Sequence, residues 1–354
     1  MGKVKGNKPQ MTPVKKKPII SEQEKAANKA KHKKLIDRST FLVAFTALAL
    51  VIIFAGRWLV AITNGYYDTF INYGSSVQEA ISSAKGLSLT DDEKSVNLSL
   101  EKDWDYFKSS RLCDELQLEK DISLHGYYYD NGSDVTVIYL HQFGEDGTAD
   151  FLAGNLLYET YGANIFMPDS RGMGESTGGT ISYGYKESED LSDWMEYLES
   201  KYGQKEYIIW GCGLGADTAL FAESRGLLTG YNVNFIVAES AYPSISTVAR
   251  RQISKWYTIP AFPAVNFIEM KVNKSDLGYT VSDMNLLTAM ESGTADTSVL
   301  FLESEGDNYI ISDWSSEVYQ AYSGDKQIIT GSGSHGTVFA EKYDDIKDYI
   351  EQMK

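Results

Sequence analysis

The residues best placed for chemistry lie in Tyr207-Ile208-Ile209-Trp210-Gly211-Cys212-Gly213-Leu214-Gly215-Ala216-Asp217. The apolar run from Tyr207 to Trp210 reads as a buried strand. It passes through small residues into a helix starting near Leu214. A strand, a sharp glycine turn and a helix present a nucleophile at the apex of a small-x-nucleophile-x-small elbow. Gly211 and Gly215 take the two outer small positions. The apex is Gly213, where acyl transfer needs a hydroxyl. Glycine there has a structural rationale, because it adopts positive φ without the strain that a side chain brings. Three other sources of an attacking atom stay open. Cys212 is adjacent, but as apex it would place Trp210 and Leu214 at the small positions. Ser170, Ser240 and Ser334 lie on rim loops. A water activated by a histidine is the third.

A base and an acid must accompany the nucleophile. His32 sits in a basic tail, which leaves His125, His141 and His335. In isolation a loop histidine is usually solvated, and the turn Gly306-Asp307-Asn308 is common. No Cys/His spacing suggests a zinc site, and no cofactor is expected. Cys113 and Cys212 do not form a disulfide framework, although a single bridge between them is conceivable outside the cytoplasm.

The elements that must hold these residues alternate. An antiparallel start is expected over Leu116 to Glu119, Ser123 to Tyr129 and Val135 to Leu140, with a turn at Asp130-Asn131-Gly132-Ser133. Strands follow at 163–167, 207–210, 233–238, 298–303 and 326–330. Leu191, Trp194, Met195 and Leu198 stripe one helix face at i, i+3, i+4 and i+7. This alternation predicts an α/β fold, a mainly parallel sheet with helices on both faces. Residues 241–297 are too long for a plain crossover and read as an inserted helical cap.

Charge divides the chain. The net charge is -16. Residues 1–40 hold 12 basic and 3 acidic residues and read as a disordered basic tail. Residues 41–62 are apolar apart from Arg57 and a few small polar residues. As a helix they span about 33 Å at 1.5 Å per residue, enough for a bilayer core. The remainder holds 20 basic and 46 acidic residues, which argues against nucleic acid as a partner. The positive-inside rule puts the tail in the cytoplasm and the rest outside, with 41–62 in membrane lipid. Residues 63–110 are expected to form a helical stalk, and 111–354 the domain.

Five stretches, in order, resemble the α/β-hydrolase fold family, in particular bacterial membrane-anchored serine-aminopeptidase-like members. Leu140-His141-Gln142-Phe143-Gly144 resembles the oxyanion loop, with Gln142 in place of glycine. Pro168 through Ser176 resembles the D-x-R-G-x-G-x-S turn. Ser182 through Trp194 is similar to the stretch that follows it. Phe301 through Tyr309 resembles the acid loop, and Gly333-Ser334-His335-Gly336 the histidine loop. The resemblance implies a triad order of Gly213, Asp307 and His335, with Phe143 and Leu214 N–H groups as oxyanion donors. It also implies hydrolysis of ester, amide or peptide bonds. With Gly213 at the apex, the expectation is a degenerate hydrolase whose pocket binds a small molecule or peptide. The alternative is an active hydrolase with an unconventional nucleophile or an activated water.

Overall fold

The computed structural model describes residues 21–71, 91–203, 205–257 and 261–354. The chain forms two units, residues 1–59 and 60–354. The helix Glu22–Phe70 makes up the described part of the first unit and continues into the second. Its apolar stretch leaves Phe41, Leu42, Val43, Phe45, Val51, Ile52 and Phe54 exposed. Among the described residues it is the one helix long and apolar enough to cross a membrane. The helix starts at Glu22, so the tail expected to be disordered is helical from there. Ala, Lys and Glu dominate residues 22–34 and have high helix propensity, and an adjoining apolar helix spares them a nucleation cost. Residues 1–20 lie outside the described residues.

The second unit is built on one eight-stranded sheet: β1 (Asp114–Glu119), β2 (Ser123–Tyr129), β3 (Val135–Leu140), β4 (Asn164–Pro168), β5 (Glu206–Cys212), β6 (Asn232–Glu239), β7 (Ser298–Ser304) and β8 (Lys326–Gly331). The spatial order is β1-β2-β4-β3-β5-β6-β7-β8. β1 pairs antiparallel with β2, and β2 with β4; every other pair is parallel. The central strands are apolar on both faces, as a parallel sheet covered on both sides requires. Tyr207 and Ile209 join the core beneath the helices Tyr185–Tyr202 and Leu214–Ser224. Ile208 and Trp210 point the other way, towards a core with Trp104, Phe107, Leu157, Ile346 and Ile350.

Residues 63–70 and 91–109 are helical, and both pieces belong to the second unit. Tyr66 and Ile71 are buried, and the Ile181 N–H donates to the Ile71 carbonyl at 2.9 Å. Tyr66 Oη donates to Gln252 Oε1 at 3.1 Å. In the helix Asp91–Ser109, Trp104 and Phe107 are fully buried. Leu100, Trp104 and Phe107 fall at i, i+4 and i+7, an apolar stripe that must find a core. Between β6 and β7 lie the helices Ile245–Tyr257, Ala264–Lys274 and Leu286–Ser292. Cys113 is exposed, Cys212 is buried, and neither is in a disulfide.

Candidate active site

The elbow is set by its glycines. A Cβ on Gly211 would sit 2.2 Å from the Gly215 carbonyl oxygen, and one on Gly215 would sit 1.9 Å from that of Leu140. Backbone therefore touches backbone at both outer positions, and only glycine fits. Gly213 has φ 53° and ψ -109°. Its N–H donates to the Glu239 carbonyl at 2.8 Å, and its own carbonyl accepts from the Asp217 N–H at 3.1 Å. The apex itself is roomy: an added Cβ would meet only Gln142 Cβ, at an ordinary 3.5 Å.

Asp307 follows β7 and is buried. Its Oδ1 accepts from the backbone N–H groups of Tyr309 and Ile310 at 2.7 and 2.9 Å. Its Oδ2 lies 2.5 Å from His335 Nδ1, on the loop after β8. Asp307, His335 and the Gly213 turn are thus brought to one end of the sheet. Gly213, Leu214, Phe143 and His335 line one cavity, with Tyr183, Tyr242, Val248, Tyr309 and Ile310 as its largely apolar walls. Leu214 opens a helix, so its N–H has no carbonyl four residues back to bond.

The far side of the imidazole is occupied as well. His335 Nε2 lies 2.7 Å from Gln142 Oε1. Gln142 Nε2 donates to Glu145 Oε1 at 2.8 Å, which fixes the amide with its oxygen towards the histidine. An amide oxygen and a carboxylate oxygen only accept. Both ring nitrogens of His335 therefore carry hydrogen, and the ring is an imidazolium. Burial works against that charge, but the hydrogen bond and the charge of Asp307, helped by Glu239 and Glu145, outweigh it and raise the pKa. An imidazolium has no lone pair with which to take a proton.

His141 shapes the same loop. It is fully buried, and its Nε2 accepts from the Ser170 N–H at 2.9 Å. Nδ1 therefore carries the hydrogen and donates to the Gln142 carbonyl at 2.9 Å. The Pro168–Ser176 turn is structural. Asp169 accepts from the N–H groups of Gly147 and Glu175 at 2.6 and 2.8 Å, and Arg171 forms a buried two-point ion pair with Asp190 at 2.7 and 2.6 Å. Ser240 supports the acid, its hydroxyl 3.5 Å from Asp307 Oδ2. Ser170, Ser240 and Ser334 do not line the cavity in front of Gly213. Sequence reasoning noted Gln142 as a departure from glycine but not its bond to His335. Glu145 and Glu239 it missed outright. The signal for Gln142 was a long amide one residue before Phe143, the residue expected to supply an oxyanion donor.

A model of the alpha/beta hydrolase fold matches residues 135–225. The uncharacterized protein YqkD of Bacillus subtilis (strain 168) is 24% identical over 199 residues, which cover 56% of this chain and 64% of YqkD. The chain thus aligns with less than two thirds of that relative's length. Among solved structures, the Pyrococcus furiosus esterase Pf2001 superposes with a TM-score of 0.54 at 19% identity, covering 71% of this chain and 94% of the esterase. The alpha/beta hydrolase GrgF from Penicillium sp. sh18 superposes with a TM-score of 0.51 at 15% identity, covering 69% and 98%. The elbow, the sheet order, the position of Asp307 and His335 and these matches agree: the chain is an α/β-hydrolase-fold protein.

Proposed function

We propose that this chain is a membrane-anchored, extracytoplasmic α/β-hydrolase-fold protein that has lost hydrolysis and kept its pocket for binding. The observation that carries this reading is the Gln142–His335 contact at 2.7 Å beside an apex without a side chain. The atom that would take a proton from the nucleophile is already protonated and occupied. The cavity before Gly213 is walled by Tyr183, Tyr242, Val248 and Ile310, which suits a mostly apolar small molecule or peptide side chain. The exposed large apolar side chains between Phe41 and Phe54 support the anchor. The test is labelling by a serine-reactive phosphonate and turnover of small activated esters. Labelling of wild type at an intact pocket would defeat the proposal.

One observation favours a second reading. Cys212 Sγ lies 4.0 Å from Gln142 Oε1, and Cys212 and His335 line a common cavity on the other side of Gln142. A thiol nucleophile working from that side would keep the protein an enzyme. Ester turnover abolished by Cys212→Ala would support it.

A further inference from the structure

Behind the Gln142 side chain lies a second cavity, of about 860 Å³ counting its open mouth. Glu101, Glu145, Asp150 and Glu239 line it, with Tyr139, Trp210 and Phe339 among its walls. It differs from the apolar cavity before Gly213, sharing with it only Gln142 and His335.

The donors here are mostly committed. Asn97 donates to Glu101 at 2.7 Å and Gln142 to Glu145 at 2.8 Å. Lys108 reaches Asp150 at 3.1 Å. His335 spends its two nitrogens on Asp307 and Gln142. The acceptor Glu239 is left short of a donor. It is only 6% exposed, and its Oε1 has no hydrogen-bond partner among the described residues. Buried carboxylate oxygens are ordinarily satisfied, and a bare one asks for an explanation. Four carboxyl groups line the cavity with one cationic residue, His335, while Lys108 reaches Asp150 from outside the lining, so what the cavity lacks is a positively charged donor.

We propose that this cavity binds a small primary ammonium group, whose N–H donors complete Glu239 Oε1. Three features select that chemistry. No group of three or more His, Cys, Asp or Glu among the described residues could hold a metal ion. A quaternary ammonium has charge but no N–H, so it leaves Glu239 Oε1 unsatisfied. Aromatic walls favour an organic cation over a hydrated inorganic one. Burial raises the Glu239 pKa to about 7, partly offset by His335 and a Trp210 hydrogen bond. An ammonium beside it favours the ionised form. The proposal does not depend on the loss of hydrolysis.

The full chain in detergent micelles is titrated with n-butylammonium chloride by calorimetry at pH 7.5 and fixed ionic strength. Intrinsic tryptophan fluorescence, to which Trp210 in the cavity wall contributes, is followed in parallel. Expected is saturable binding, weakened at least tenfold in Glu239→Gln. Tetramethylammonium should bind at least tenfold more weakly than n-butylammonium to wild type. Absence of saturable binding overturns the proposal, as does equal affinity in a folded Glu239→Gln. Should that variant not fold, the wild-type comparison decides: equal binding of the two cations overturns the assignment of an N–H-donating ligand.

Discussion

At the scale of single residues, Gln142 and Gly213 together set what His335 can do. On the proposed reading, restoring a hydroxyl alone should not be enough, because the imidazole facing it is protonated and bonded to Gln142 Oε1. Gly213→Ser is expected to fold. Its Cβ meets only Gln142 Cβ at 3.5 Å, while φ 53° costs about 1–3 kcal/mol of strain. The single variant should show little ester turnover. Adding Gln142→Gly frees Nε2, lets the ring lose its proton and opens the oxyanion loop. The double variant should hydrolyse an activated ester about 100-fold faster than Gly213→Ser, the scale of positioned base catalysis. It should also be labelled by a phosphonate, and His335→Ala should remove both gains. Equal turnover in single and double variants would show that Gln142 is not the obstacle. Proton NMR gives a second check: the His335 ring should titrate above the ordinary histidine range in wild type and closer to it in Gln142→Gly.

At the scale of elements, the helix Asp91–Ser109 and the elbow carry the clearest stability predictions. Trp104→Ala empties a fully buried site packed on Phe107 and Phe151, with ring centroids 5.0 and 5.9 Å away. The expected loss is about 3–5 kcal/mol in denaturant unfolding. A change below about 1 kcal/mol would mean that the helix is dispensable to the domain. Gly215→Ala forces a Cβ to 1.9 Å from the Leu140 oxygen, so the helix Leu214–Ser224 and β3 must part. Overpacking costs about 1–3 kcal/mol and occasionally more, and this case should lie at the upper end. The strands were legible because alternating and continuous apolar runs must pair. The elbow was legible because Gly-x-Gly-x-Gly follows a strand directly. The burial of the helix at 91–109 in the domain core was not, because its stripe is three large residues diluted by Asp, Glu and Lys. The clamp on His335 was not legible either. It joins residues 142 and 335 through two loops, and sequence spacing carries no information about a contact across 193 positions.

At the scale of the whole molecule, two titrating groups push stability the same way. The folded pKa of Glu239 is raised by burial to about 7, above its ordinary 4.5. That of His335 is raised as well, because Asp307 outweighs the burial that would lower it. A raised folded pKa means that the native state holds its proton longer than the unfolded chain. Glu239 then contributes stability below pH 4.5 that is lost as pH rises through 7. His335 contributes stability that is complete below its unfolded value of about 6.5 and lost as pH rises through its higher folded pKa. The melting temperature should fall from pH 5 to pH 8. Glu239→Gln should flatten the part of that fall below pH 7, and an unchanged profile would remove Glu239 as a contributor. Charge distribution supplies the last prediction, which tests the proposed topology. A tail with 12 basic and 3 acidic residues precedes the span, and a portion with 20 basic and 46 acidic residues follows it. Basic flanks stay on the cytoplasmic side. External protease on intact cells should therefore digest the domain from about residue 63 onward and leave a membrane-bound fragment holding the tail. A cleaved leader instead would leave the domain in the culture fluid, shortened by the tail and span. A domain protected until the cells are lysed would place it inside, and the extracytoplasmic proposal would fall while the fold and the His335–Gln142 clamp stood unchanged.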